Sequence, residues 1–198
     1  LLPFARALVV NDAITAARGA LGDSDGILVA IGTGSVYAVQ RQGRLRQLGG
    51  RGFLLGDEGS GAVMGRALLA KAMRAADGFD PMTPLLATIL DEFGGCEGII
   101  SFANTARPAD FARLAPLIVN ADDPAARAIF DAAVKGLDSD IAVLQQGARM
   151  PVVFSGGLGP FYARRLAAAW PQRPAKGTPL EGAVAMAIRL AAASDNTG

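Results

Sequence analysis

The sequence predicts an α/β fold carrying a helical insertion, and three observations lead to that reading. Two short apolar runs of strand length, Ile27–Ile31 and Met150–Phe154, stand far apart in the chain. Helical patterns with their own start and stop signals flank both runs. Between about residues 62 and 146 the helical signal continues without a strand, which reads as an insertion into a mixed-sheet domain.

Taken in order, Leu8-Val9-Val10 is an apolar run consistent with a buried strand. Asp12 is placed to cap a helix over Ala13–Leu21, which Gly22 stops. The strand Ile27–Ile31 runs into the tight turn Gly32-Thr33-Gly34-Ser35 and leaves it as Val36–Val39. Gln42-Gly43 then punctuates a hairpin whose return strand is Leu45–Leu48. A glycine-rich loop follows, leading to a helix over about Ala62–Ala76 with an apolar stripe at Val63, Ala67, Leu68 and Ala72. Thr83 caps a helix that starts at Pro84 and ends near Phe93. The stretch from Gly94 to Ala106 carries no clear period. Pro108–Val119 and Pro124–Gln146 read as helices, the second announced by Asp122-Asp123-Pro124. After Met150–Phe154 comes the turn Ser155-Gly156-Gly157-Leu158-Gly159, then a helix from Pro160 and a last one over Leu180–Ala193.

Composition narrows the chemistry. The 198 residues suit one large domain. Nineteen basic and 18 acidic side chains leave a net charge of +1, which gives no footprint for nucleic acid or for a membrane surface. There is no histidine, so serine–histidine and cysteine–histidine nucleophile schemes are excluded, as is the commonest zinc ligand. Cys96 is the only cysteine, which rules out an internal disulfide or a cysteine-only metal site and suits a reducing cytoplasm. The most apolar helix candidate, Pro179–Ala193, is interrupted by Glu181 and Arg189 and is too short to span a bilayer. The chain opens at Leu1 without a methionine, and it is expected to be a fragment.

Four segments carry candidate chemistry. Gly32-Thr33-Gly34-Ser35 lets the backbone approach a ligand and adds two hydroxyls, which suits phosphate oxygens; an ordinary hairpin turn is the alternative. Gly156-Gly157 follows a strand and precedes a helix, a junction where a nucleotide can lie, and it is also a plain tight turn. Neither the dinucleotide fingerprint nor a Gly-Lys-Ser/Thr loop is present. Gly56-Asp57-Glu58-Gly59-Ser60-Gly61 sets two carboxylates between glycines at the mouth of a helix, where negative charge is favoured. A carboxylate there accepts hydrogen bonds from a polyol, or merely belongs to a charged capping turn. Asp12 lies between the first apolar run and the first helix, so its carboxylate is either a general base for an attacking hydroxyl or a simple cap.

These segments occur in one order, with Asn11-Asp12-Ala13 first. Gly32-Thr33-Gly34-Ser35 follows, then Gly49-Gly50-Arg51-Gly52 with Gly56-Asp57-Glu58-Gly59-Ser60-Gly61, then Ser155-Gly156-Gly157-Leu158. In that order and spacing the chain resembles the BadF/BadG/BcrA/BcrD-type ATPase family, within it the N-acetylglucosamine and glucosamine kinases, from about Val9 to Ala191. The resemblance implies a ribonuclease H-like lobe of the actin/hexokinase/Hsp70 kind and ATP-dependent phosphorylation of an amino sugar. It implies Asp12 as the catalytic base that takes the sugar hydroxyl's proton. Gly32, Thr33 and Gly34, with Ser35 beside them, fall on a phosphate-binding loop that also approaches the sugar. Gly50, Arg51, Asp57 and Glu58 fall on the sugar side, and Gly156 and Gly157 on the adenosine side. The implied cofactors are ATP and Mg²⁺, with no metal ligand assigned on this chain.

Two departures from the family pattern stand out. Arg51 occupies a position that is often Trp in such kinases, so a guanidinium replaces an apolar stacking surface and the sugar identity is open. The family's first phosphate loop, an Asp-Gly-Gly-Gly-Thr type segment, is not in the sequence. Residues 1–198 are therefore expected to form the C-terminal lobe, with the N-terminal lobe absent and catalysis lost in the fragment. A homodimer through the helical insertion is compatible with this layout. Two other readings stay in play: an activator ATPase of a CoA-ester dehydratase or reductase, which shares an iron–sulfur cluster between subunits, and a non-catalytic sugar- or nucleotide-sensing module. The single Cys96 argues against the first, and Asp12 beside both glycine turns argues against the second.

Overall fold

The structure, a computed structural model, describes residues 7–192. Its centre is a mixed sheet of β1 (Gly26–Ile31), β2 (Ser35–Arg41), β3 (Arg44–Gly49) and β4 (Val152–Ser155), in the order β3-β2-β1-β4. The first three strands form an antiparallel meander, and β4 returns parallel to β1 with Ile27 opposite Val152 and Ala30 opposite Ser155. Register follows from side-chain alternation: Ile27, Val29 and Ile31 enter the larger core, while Leu28 points to the opposite face. The hairpin at Gln42-Gly43 has positive φ at both residues, 48° and 75°, which is the turn whose twist matches a two-residue connection.

One face of the sheet is covered by α1 (Asp12–Leu21), with Ala17, Ala20 and Leu21 against Leu28, Ala38 and Val153. Outside it lies α9 (Pro179–Ala192), close enough that a Cβ on Gly182 would stand 2.0 Å from the Thr15 carbonyl oxygen. The other face carries the insertion: α2 (Gly61–Ala76), α3 (Pro84–Phe93), α4 (Gly95–Thr105), α5 (Pro108–Ala112), α6 (Ala115–Val119) and α7 (Pro124–Gln145), followed after β4 by α8 (Gly159–Leu166). Two buried tyrosines tie this layer together. The Tyr37 hydroxyl donates to Asp140 at 2.7 Å, and the Tyr162 hydroxyl donates to the Gly59 carbonyl at 2.5 Å. Burial pushes both phenols well above their ordinary range, with the Asp140 carboxylate adding to the effect on Tyr37. Among the described residues no helix is long and apolar enough to cross a membrane.

Several expectations are corrected. Leu8–Val10 forms no strand; it is irregular and Val9 is 87% exposed, because no strand among the described residues offers it a ladder. The cap of α1 is Asn11, whose side chain accepts from the Ala13 N–H, and Asp12 is the first helical residue. The buried face of α2 runs through Met64, Leu68, Leu69 and Ala72, leaving Val63 and Ala67 half-buried. Pro108–Val119 is two short helices, since Pro116 lacks the N–H that a continuous helix would donate to the Ala112 carbonyl and sits instead in the first turn of a new one. The unpatterned stretch is helix α4, turned sharply out of α3 at Gly94, which is left-handed with φ 74°.

Asp123 joins two helices of the insertion. Its carboxylate accepts from the Ala125 and Ala126 N–H groups at the start of α7, and from the Thr83 hydroxyl and Leu85 N–H at the start of α3. Burial works to raise its pKa, but these donors together hold it below the usual carboxylate value. A depressed folded-state pKa adds stability above the unfolded value near ~3.9, and that contribution is lost as pH falls through the folded value. Asp123→Ala removes a cap and orphans buried donors, so it is expected to cost about 2–3 kcal/mol at pH 7. Thermal unfolding followed by circular dichroism should show Tm lowered by roughly 5–10 °C, with the gap narrowing in acid; a change under about 1 °C would contradict this role.

Candidate functional site

The candidate site is built where β1 and β4 end side by side. The turn after β1 is strapped to the start of α2: the Gly61 N–H donates to the Gly32 carbonyl at 2.8 Å, and the Ala62 N–H to the Thr33 carbonyl at 3.2 Å. The first donors of α2 are thus spent on holding the turn rather than on holding charge. Ser35 is buried, and its hydroxyl donates to the Glu58 carbonyl at 2.8 Å, while Thr33 is exposed with its hydroxyl outside any protein hydrogen bond among the described residues.

The turn after β4 leans on the same strand end. The Leu158 N–H donates to the Ile31 carbonyl at 3.1 Å. Gly156 has φ +82°, and a Cβ there would stand 2.2 Å from the Ile31 carbonyl oxygen. Only glycine meets both conditions. Gly157 by contrast is exposed, and a Cβ on it would meet no atom within 4 Å.

The acidic loop lies over the β1 turn. Asp57 is a non-glycine residue at φ 59°, a strained position that must be held by its surroundings. Its Oδ1 accepts from the Gly52 N–H at 3.2 Å, and its Oδ2 lies over Gly34, 2.8 Å from where a Cβ would be. The loop is pinned further by the Tyr162 hydroxyl on the Gly59 carbonyl and by Ser60, whose side chain accepts from the Val63 N–H. The two carboxylates diverge: Asp57 stands over the β1 turn, while Glu58 lines a separate groove between α2 and α7. Gly50, with φ +62°, and exposed Arg51 precede the loop. Arg51 borders a cleft of about 890 Å³ beside Phe53, Arg66 and Phe111.

Asp12 reaches this region by topology. Helix α1 is linked to β1 by a short turn and runs back along the sheet for about 15 Å, comparable to the roughly 20 Å of β1. Its first residue therefore lies at the end of the sheet where β1 and β4 terminate. Asp12 is exposed, and among the described residues its carboxylate accepts only from the Ala13 N–H, at 2.8 Å. No hydrogen bond there joins it to the other candidate residues.

Between the two glycine turns lies a cavity of about 390 Å³. Gly32, Thr33 and Gly61 form one wall, and Gly157, Leu158 and Phe161 another. The third wall comes from the insertion, with Pro116, Val119 and Asn120 on and just after α6. Sequence reasoning missed this wall. Its residues are separated from Thr33 by over eighty positions, and an Asn after a short helix looks like any turn residue.

A mixed sheet that ends in two facing glycine turns, with a helical insertion forming the third wall, defines a ribonuclease H-like lobe of the actin type. The chain belongs to the BadF/BadG/BcrA/BcrD ATPase family, whose model matches residues 6–164. A glucosamine kinase of Vibrio cholerae is 38% identical over 118 residues, 59% of this chain and 40% of that relative. An N-acetyl-D-glucosamine kinase of Dictyostelium discoideum is 32% identical over 163 residues, 74% of this chain and 51% of the relative. A solved structure from Chromobacterium violaceum, assigned as an N-acetylglucosamine kinase, superposes with a TM-score of 0.80 at 33% identity, over 91% of this chain and 66% of that one. The chain thus spans between two fifths and two thirds of the length of these relatives.

Proposed function

We propose that this chain is the larger lobe of an ATP-dependent amino-sugar kinase, the remainder of the relatives' length corresponding to a second lobe that closes over the site. The observation that carries the reading is the 390 Å³ cavity between the two glycine turns, with the Asp57 carboxylate standing over Gly34 of the first of them. Phosphoryl transfer asks for positioning and charge stabilisation rather than elaborate protein chemistry, and glycine turns suit it.

In this reading the turn at Gly32–Ser35 cradles phosphate oxygens, with the free Thr33 hydroxyl as a donor. Gly156 and Gly157 lie against the adenosine, and Asp57, with Gly50, Arg51 and Glu58 around it, faces the sugar. Asp12 takes the proton of the attacking hydroxyl as its oxygen bonds to the γ-phosphorus and the bond to the β-phosphate breaks, releasing ADP. Among the described residues no three acidic side chains cluster as a metal cage. Mg²⁺ held mainly by nucleotide phosphates and water needs few protein ligands; bound there, the ion would neutralise charge on the transferring group.

A further feature supports a second lobe. Leu180, Val184 and Ile188 form an i, i+4, i+8 stripe on α9, all exposed, and Leu8 and Val9 border a separate apolar groove with Ala183, Ala187 and Leu190 of the same helix. Apolar surface of that extent is ordinarily covered by a partner element.

The test is an ADP-release assay on the full-length protein with glucosamine, N-acetylglucosamine, glucose and muramic-type sugars. ADP release with an amino sugar is expected, and silence with every sugar would overturn the reading. Asp57→Ala is expected to raise the sugar KM roughly 10–100-fold, the loss of hydrogen bonds to a charged acceptor. An unaltered sugar KM removes Asp57 from the sugar site.

A further inference from the structure

We propose that Asn120 reads the edge of the nucleotide base, selecting a purine with an exocyclic amine over one with a carbonyl at that position. The inference rests on the cavity between the glycine turns being the nucleotide site. Of the side chains around that cavity only two are polar, Thr33 at the glycine end and Asn120 at the insertion end. The rest of the lining is glycine backbone and apolar surface from residues such as Pro116, Val119, Leu158 and Phe161. A flat aromatic ring suits such walls, and a few convergent polar groups then fix what binds.

The orientation of the Asn120 amide is set by its neighbour. Its Nδ2–H donates to the Pro116 carbonyl at 3.0 Å, and its own backbone N–H donates to the same oxygen at 3.2 Å. A carbonyl accepts only, so the NH₂ end must face Pro116, and the Oδ1 end is left as an acceptor. Among the described residues nothing donates to Oδ1. An acceptor at the cavity rim pairs with the amine of adenine. Set against the carbonyl oxygen of guanine it meets another acceptor, and turning the amide over would break the bond to Pro116. The mismatch forgoes the hydrogen bond that adenine makes and sets two acceptors face to face.

The test measures binding, not turnover: calorimetric titration of the full-length protein with ADP and with GDP. The parent is expected to prefer ADP by about tenfold or more, the scale of one hydrogen bond and its mismatch. Asn120→Ala should bring the two affinities within about twofold. Circular dichroism checks that the exposed substitution leaves the fold intact. Equal binding of ADP and GDP by the parent overturns the inference, as does an undiminished preference in Asn120→Ala. A protein that shows the Asn120-dependent preference yet phosphorylates no sugar fails the kinase reading alone. One that phosphorylates sugar with a base preference indifferent to Asn120 fails this inference alone, and absence of nucleotide binding overturns both.

Discussion

Asp12→Asn in the full-length protein is expected to cut phosphoryl transfer to the sugar by about 10²–10⁴, while ATP affinity and Tm stay near those of the parent. The range is what a lost general base ordinarily costs. The separation of effects follows from the start of α1. Asn11 caps the helix, accepting from the Ala13 N–H at 2.9 Å. The Asp12 side chain shares that same donor, is exposed, and supports no other hydrogen bond among the described residues. An amide at position 12 keeps an acceptor for Ala13 but has no basic oxygen to take a proton. Asn11→Ala is the matching control, losing about 1 kcal/mol of cap stability without a comparable loss of turnover. Steady-state kinetics with an amino sugar, beside thermal melts, reads both quantities. Unchanged turnover in Asp12→Asn removes that carboxylate from the reaction. A large fall in Tm would instead make its role structural.

Local chemistry was legible in the sequence wherever a residue type has one physical use. Thr83-Pro84 and Asp123-Pro124 start α3 and α7 as expected, because a side-chain oxygen followed by a residue lacking N–H suits a helix entrance. Gln42-Gly43 turns the hairpin for the same kind of reason. What escaped depends on partners remote in sequence. Leu8–Val10 has the composition of a strand but nothing beside it to pair with among the described residues. Gly98 lies inside α4 because a Cβ there would stand 1.6 Å from the Phe93 carbonyl oxygen at the α3–α4 corner, a constraint invisible without the corner. The candidate site divides in the same way. The glycine turns and Asp57 could be picked out from their own spacing. That the helix entrance serves the turn rather than the carboxylates could not, since the Gly61 and Ala62 N–H groups find their acceptors some thirty residues back. The divergence of Asp57 from Glu58 was hidden too, because adjacency in sequence says nothing about side-chain direction at a positive φ.

The two glycines after β4 should respond to substitution in opposite ways. Gly156→Val is expected to destabilise the protein by more than about 4 kcal/mol, a loss reserved for a few severe mechanisms. Two of those mechanisms act here together. A β-branched residue at φ +82° is a conformational outlier, and strain of that kind costs of order 1–3 kcal/mol. The new Cβ would also lie 2.2 Å from the Ile31 carbonyl oxygen and 2.7 Å from its carbon. Those are backbone atoms of the central strand, so relief requires pulling the β4 turn from β1 and breaking the Leu158 N–H bond to Ile31. Gly157→Leu meets none of this: its Cβ would meet no atom within 4 Å, and φ is not positive. The added side chain instead occupies the mouth of the cavity that Gly157 lines. Its Tm should fall by no more than about 2–4 °C, the scale of 1 kcal/mol for a chain of this size, while ADP affinity drops at least about tenfold as the ligand is displaced. Melting curves and ADP titrations on both variants decide the matter. A Gly156→Val protein as stable as the parent would contradict the close packing of this turn on β1, and a well-folded Gly157→Leu protein with undiminished ADP affinity would show that the turn does not carry the nucleotide.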